Sequence, residues 1–299
     1  MTYRELFISP PLAFGGFQRT FQEADYTVLG IPFDMTSTYR SGARFAPAAI
    51  REASLNIETY SFRASIDAES LKIHDLGNID IIYDVAEILK RTELVVKDLK
   101  NEGKLPVILG GEHTLTLGAI RGIGEGTTVV SFDAHLDLRN EYLGRTVSHT
   151  TFMRRICEQV SPKKILEIGV RAVCQEELDY AKKVGVRFLT AYDIKREGFE
   201  KTVEKIIGAL ADCEKIYLSI DMDVLDPAYA PAVQNPEPEG LSASALLDIL
   251  HGLSYYRLAA LDLMEVAPPY DQGTTAIQAA KIIYEVLCYV QRSRKIQRT

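Results

Sequence analysis

Aspartate and histidine recur at two-residue spacing directly behind apolar runs. Residues 127–132 (TTVVSF) lead into Asp133-Ala134-His135-Leu136-Asp137, and residues 215–220 (KIYLSI) lead into Asp221-Met222-Asp223. A third run, Leu105–Leu109 (LPVIL), leads into Gly110-Gly111-Glu112-His113. In extended backbone, residues two apart share a face. Asp133, His135 and Asp137 are therefore expected to project together, and so are Asp221 and Asp223, with Ala134 and Leu136 turned to the core. Carboxylates crowded into one place raise one another's pKa, and a bound cation removes that penalty. One divalent ion cannot use so many ligands in ordinary geometry, whereas two ions with bridging carboxylates can. The donors are rich in oxygen, include two imidazoles and lack a thiolate. That set favours manganese over a structural zinc and leaves magnesium, cobalt and nickel open. A lone Asp or His behind a strand is an ordinary cap or polar contact. A DxHxD and a DxD, each behind an apolar run, with a GGxH behind a third, form a different pattern.

Two further residues gain meaning from that pattern. His149, twelve residues past Asp137, sits at an expected helix start, where alone it would cap or lie on the surface. Beside a metal site, an imidazole titrating near neutrality is a candidate proton shuttle. Glu265 ends the last apolar run. Alone it would be a solvated rim charge, but over the same edge it can pair in a bidentate way with a cationic substrate. His74 and His251 have no such context and read as structural.

These residues need a frame that carries them to one edge. Hydrophobic periodicity predicts strands over residues 26–31, 105–109, 127–132, 164–170, 186–189, 215–220 and 258–266. It predicts helices over 83–102, 150–159, 175–184, 199–211, 242–253 and 274–290. Repeated strand-then-helix order means an α/β fold with a mainly parallel sheet covered on both faces. Ligands in such sheets collect outside the carboxyl ends of the strands. No linker or repeat divides residues 1–299, so one domain is expected.

Composition narrows the function classes. The chain has 299 residues, 46% hydrophobic and 25% charged, which excludes disorder as its main state. With 34 basic against 41 acidic side chains the net charge is −7, which argues against a nucleic-acid or anionic-membrane surface. No apolar run approaches the roughly 18 residues of a membrane span, and the N-terminal residues lack a signal-peptide pattern. The four cysteines, Cys157, Cys174, Cys213 and Cys288, form no close pair. A disulfide framework is not expected, and a cytoplasmic location is.

The motifs GGEHTLTLG, SFDAHLDLRNEY, SHTTFMRR, SIDMDVLDPAYAP and EVAPPYD, in that order, resemble the ureohydrolases, the family of arginase and agmatinase. GIPFDMTSTYRSGARFAPAAIREAS before them and TTAIQAAKIIYEVL after them extend the likeness over residues 26–287. The resemblance implies a three-layer α/β/α domain and two Mn2+ per chain. It implies one ion held by His113, Asp133, Asp137 and Asp221, and a second held by His135, Asp133, Asp221 and Asp223. It also implies His149 as proton shuttle, Glu265 as the carboxylate that grips a guanidinium, and Asp137 as the group that passes a proton to the leaving amine. The reaction so implied is hydrolysis of a guanidino group to urea and a primary amine.

The PPYD ending and the loop at residues 138–145 (LRNEYLGR) look more like agmatinases than arginases. Agmatine, giving putrescine as in polyamine biosynthesis, is therefore the expected substrate. N(1)-aminopropylagmatine, guanidinobutyrate and arginine are the alternatives, and Asn140 and Glu141 are expected to meet the substrate tail. A deacetylase-like amidohydrolase and a non-catalytic metal-binding homologue are more distant readings, disfavoured by the complete ligand set. By analogy the chain is expected to be a homo-oligomer, trimer or hexamer, acting on a small cationic guanidine without nucleic acid or membrane. One loop departs from the pattern. Where many relatives read APGTGTPE, residues 230–237 read APAVQNPE, and Val233 and Gln234 add bulk at the site mouth.

Overall fold

The apolar runs form strands and the amphipathic stretches form helices in a computed structural model that describes residues 3, 7–9 and 12–296. In chain order the regular elements are β1 (Ile8–Ser9), β2 (Tyr26–Gly30), α1 (Ala46–Ser54), β3 (Tyr60–Ser61), β4 (Ile66–Asp67), β5 (Ile73–Ile79) and α2 (Val85–Asn101). There follow β6 (Leu105–Leu109), α3 (Leu115–Ile123), β7 (Thr128–Phe132), α4 (Phe152–Cys157), β8 (Ile165–Val170), α5 (Gln175–Val184) and β9 (Arg187–Thr190). The chain continues through α6 (Ala191–Glu197), α7 (Phe199–Ala209), β10 (Lys215–Asp221), α8 (Ala243–Gly252), β11 (Arg257–Met264) and α9 (Thr274–Ile296).

Among the described residues the main sheet runs β1-β5-β2-β6-β11-β10-β7-β8-β9. Its strands are parallel except β1, which pairs antiparallel with β5 at the edge. Successive strand residues serve opposite faces. Val107 and Leu109 of β6 join the core beneath Ile50 of α1, Ile206 of α7, Leu246 of α8 and Ile283 of α9. Ile108, between them, joins the core beneath Leu89 of α2, Leu117 of α3, Phe152 of α4 and Ala181 of α5. The result is the three-layer α/β/α arrangement that the strand–helix alternation implies.

The longer elements mostly lie where periodicity places them, and two of those it misses, α3 and β5, have clear physical reasons. Helix α3 (LTLGAIRGI) carries two glycines, each costing about 1 kcal/mol of helix propensity. They let it approach α2 closely: a Cβ on Gly118 would lie 2.6 Å from the Leu89 carbonyl oxygen, and one on Gly122 2.6 Å from that of Glu93. Strand β5 (IHDLGNI) lacks a clean apolar alternation because two of its polar residues serve a buried cation. Arg51 of α1 is fully enclosed, and its guanidinium donates to both Asp75 oxygens at 2.7 and 2.8 Å and to Asn78 at 2.7 Å. The expected helix at 150–159 shortens to α4 because residues 148–151 form a turn in which the Ser148 amide donates to Thr151 Oγ1 at 2.9 Å. His74 makes a 2.8 Å contact with the Arg19 carbonyl, and His251 packs edge-on against Tyr289. No helix among the described residues is long and apolar enough to cross a membrane.

Candidate active site

Four neighbouring strands in the middle of the sheet, β6, β11, β10 and β7, end at one edge and deliver His113, Glu265, Asp221 and Asp133 respectively. The chain leaves β6 through Gly110 and Gly111. A Cβ on Gly111 would lie 1.9 Å from the Phe33 carbonyl oxygen, and the Glu112 amide donates to that same oxygen at 2.8 Å. This turn aims His113 across the strand ends.

The stretch 133–137 does not continue the strand, because β7 stops at Phe132. Ala134 and Leu136 are buried as expected, but Asp137 takes a left-handed φ of 51°. Its side chain is therefore placed by a local kink and not by strand alternation. Asp221 is the last residue of β10, and its Oδ1 accepts the Asp223 amide at 2.8 Å in the short 3-10 turn that follows.

Two groups of donors result. His113, Asp133 and Asp221 form one, and Asp133, His135 and Asp223 form the other, with the ligand-capable atoms of each group within 4.8 Å of one another. His113 Nδ1 lies 3.0 Å from both Asp133 Oδ2 and Asp221 Oδ2, and His135 Nδ1 lies 2.9 Å from Asp223 Oδ2. Asp137 lies outside both groups. The donor chemistry fits two divalent cations: buried carboxylates crowd one another, imidazole nitrogens face them, and Asp133 presents one oxygen to each histidine.

The charges respond accordingly. Burial raises the Asp221 carboxyl well above its ordinary range, with the Asp223 and Asp133 charges adding to the effect. Burial and the Asp133 charge do the same to Asp137. Burial opposes charge on His113, yet the hydrogen bonds and charges of Asp133 and Asp221 outweigh it and raise the imidazole.

Behind this edge stands a polar network that sequence patterns did not reveal. His113 Nε2 contacts Ser219 Oγ at 2.8 Å, and Ser219 donates to Asp262 at 2.5 Å. Asp262, fully buried, also accepts from Thr116 and Tyr217. Such partners fix ring orientation and tautomer. Arg171 donates to the carbonyls of Asp223, Glu237 and Pro238, tying the loop behind β10 to the mouth.

His149 is buried against a strap formed by residues 34–42. Its amide donates to Thr36 Oγ1 at 3.0 Å, and its ring Nε2 lies 3.1 Å from Thr38 Oγ1. Thr36 in turn donates through its amide and hydroxyl to buried Glu112 at 2.7 and 2.6 Å. Burial, reinforced by the charges on His135 and His113, lowers the His149 imidazole to about 4, so it is neutral at pH 7.

Glu265 has a left-handed φ of 69°, is buried, and accepts the His113 amide at 2.5 Å. Burial pushes its carboxyl up to about 8. Its other oxygen accepts the Gln234 amide at 2.5 Å. Asn140 and Glu141 stay on the exposed rim, where the Asn140 oxygen accepts from Arg155 at 3.0 Å.

The structure brings His113, Asp133, His135, Asp221 and Asp223 together and sets Glu265 on the His113 amide, whereas Asp137 stands outside the donor groups, His149 contacts Thr36 and Thr38, and Asn140 and Glu141 stay on the rim. Thr36, Thr38, Glu112, Ser219, Asp262 and Arg171 were missed. The signal that could have found two of them is position: Glu112 lies inside the GGEH turn, and Ser219 lies two residues before Asp221 on the same strand face.

Comparison with known proteins gives a consistent picture. Residues 24–289 match the model of the arginase family. The agmatinase of Pyrococcus horikoshii is 36% identical over 89% of this chain and 92% of its own length. The N(1)-aminopropylagmatine ureohydrolase of Thermococcus kodakarensis is likewise 36% identical, over 88% and 90%. Among solved structures, the agmatine ureohydrolase of Thermoplasma volcanium superposes with a TM-score of 0.89 at 35% identity, covering 98% of each chain.

Proposed function

The chain belongs to the arginase family as an agmatinase-like ureohydrolase, and on that premise we propose that it is a two-metal enzyme whose substrate is agmatine, released as putrescine and urea. The observation that carries this reading is the pair of donor groups sharing Asp133, with Glu265 at the neighbouring strand end. His113, Asp133 and Asp221 would hold one manganese ion and Asp133, His135 and Asp223 the other, with Asp137 completing the first set as the family resemblance implies. When bound, the ions supply Lewis acidity that activates water near neutral pH.

The chain's own groups account for the rest. A guanidinium carbon is a poor electrophile because its charge is delocalised, so orientation matters. Glu265 receives the guanidinium N–H groups and sets its plane over the donor groups. Asp137 carries a proton to the leaving amine nitrogen. His149, neutral and held by Thr36 and Thr38, accepts a proton at its imidazole and passes it toward solvent. Asp137, His149 and Glu265 are themselves buried, while His135 opens to the rim. On the exposed rim, Glu141 is the carboxylate proposed to meet the distal ammonium. A cytoplasmic homo-oligomer, trimer or hexamer, is the setting that the family resemblance supports.

N(1)-aminopropylagmatine is the second reading, because a relative named for it is as similar as the agmatinase one. Guanidinobutyrate and arginine follow. Urea release from manganese-loaded protein, compared as kcat/KM across these four guanidines, tests the proposal. Highest efficiency on agmatine is the expected result, and preference for the aminopropyl compound would move the assignment to it. No urea from any of them, with two metals verified per chain, would overturn the ureohydrolase reading of this site.

A further inference from the structure

Gln234 stands where the common loop pattern has glycine, and its side chain is fully buried. It does not drift there. The backbone around it is pinned to the chain leaving β11: Val233 pairs antiparallel with Val266, the Ala267 amide donates to the Ala232 carbonyl at 2.7 Å, and the Ala232 amide donates to Thr275 Oγ1 at 3.0 Å. This anchoring sets the Gln234 amide against Glu265. Its Nε2 donates to Glu265 Oε2 at 2.5 Å, and its Oε1 accepts from Ser37 Oγ. Glu265 Oε1 is meanwhile held by the His113 amide.

A guanidinium grips a carboxylate with two parallel N–H groups, one to each oxygen. A primary amide presents one half of that same planar fork. We propose that Gln234 acts as an internal competitor for Glu265, occupying the oxygen that a substrate guanidinium takes, so that every guanidine must displace it to bind. The proposal rests on the ureohydrolase reading of the site. Ser37 belongs to the strap that also carries Thr36 and Thr38, so the Ser37–Gln234–Glu265 chain links the two loops that flank the site mouth.

Displacing one hydrogen-bonded group weakens ground-state and transition-state binding alike, so the effect falls on KM and leaves kcat unchanged. In manganese-loaded protein, Gln234→Gly is expected to lower KM for agmatine about tenfold at constant kcat. Gln234→Asn, one methylene too short to span Ser37 and Glu265, is expected to move KM in the same direction, and it serves should the glycine variant fail to fold. An unchanged or raised KM in the folded variants overturns the proposal. So does a fall in kcat at constant KM, which would make Gln234 a residue that merely orients Glu265. If neither wild type nor variants release urea, the ureohydrolase reading fails, and calorimetric titration of agmatine into the same loaded proteins still decides. Tighter binding by about tenfold in Gln234→Gly upholds the competitor, and equal affinity overturns it.

Discussion

His113 meets its carboxylates from an enclosed position, its far nitrogen held by Ser219 and, through Ser219, by Asp262. His135 meets its own from the rim, with 22% of its side chain in solvent and its far nitrogen 4.0 Å from the exposed Glu237. Asp133 is common to both groups. The inner group is backed by a buried network, so its donors have little room to relax. The outer group takes His135 and Asp223 from the turns beyond the strands. Preorganisation of this kind favours retention of a bound cation, so the inner site is expected to hold metal more firmly than the outer one.

The sharpest way to break that contrast is at the shared residue. Asp133→Ala is expected to leave neither ion bound and urea production at background. One metal per chain by elemental analysis would mean that the groups are independent. Next in size, Asp223→Ala is expected to lose the outer ion alone, with turnover falling by more than about 100-fold, the upper range for losing a mere supporting partner. Two metals retained would return Asp223 to a structural role. His149→Asn separates proton transfer from metal binding. Both ions should stay, while kcat falls by roughly 10²-fold or more, and a changed metal count would make His149 part of the outer site.

The pH profile concerns Glu265, which belongs to neither donor group but accepts the His113 amide. Burial raises its carboxyl to about 8, and the ionised form is the one that pairs with guanidinium. That form gains population as pH rises, and bound cations draw its midpoint downward. The kcat/KM for agmatine should therefore climb about tenfold per pH unit on the acid limb and flatten at or below a pH of about 8. The same limb in the residual activity of Glu265→Gln would assign the titration to the donor groups. The smallest effect is expected from Ser219→Ala, which should weaken the inner ion about tenfold and spare the outer one. Equal weakening of both would erase the distinction.

Much of this is legible in the sequence. Apolar runs ending in spaced aspartates and histidines have a short-range signature, and the parallel order follows from alternation of strand and helix. The strap was not legible. Thr36 and Glu112 are joined across 76 positions, and Thr38 and His149 across 111. Residues 34–42 have no periodicity to read. The kink at Asp137 escaped for a related reason, since a non-glycine residue with positive φ leaves no mark in composition. Gln234 is visible as bulk, but its partner Glu265 lies on another element, and the backbone contacts of Ala232 and Val233 with Ala267 and Val266 bring them together. Strand β5 was obscured by Asp75 and Asn78, whose polarity answers to Arg51 on a distant helix.

The approach of Gly111 to Phe33 has a consequence for how such a chain can diverge. Any side chain at 111 would strike a backbone atom that cannot rotate aside, and the displaced segment runs directly into Thr36, on which the His149 amide rests. No one-step neighbour of this sequence at that position is silent. A residue larger than glycine there requires the segment around Phe33 to move first, so two stretches nearly eighty positions apart are expected to change together.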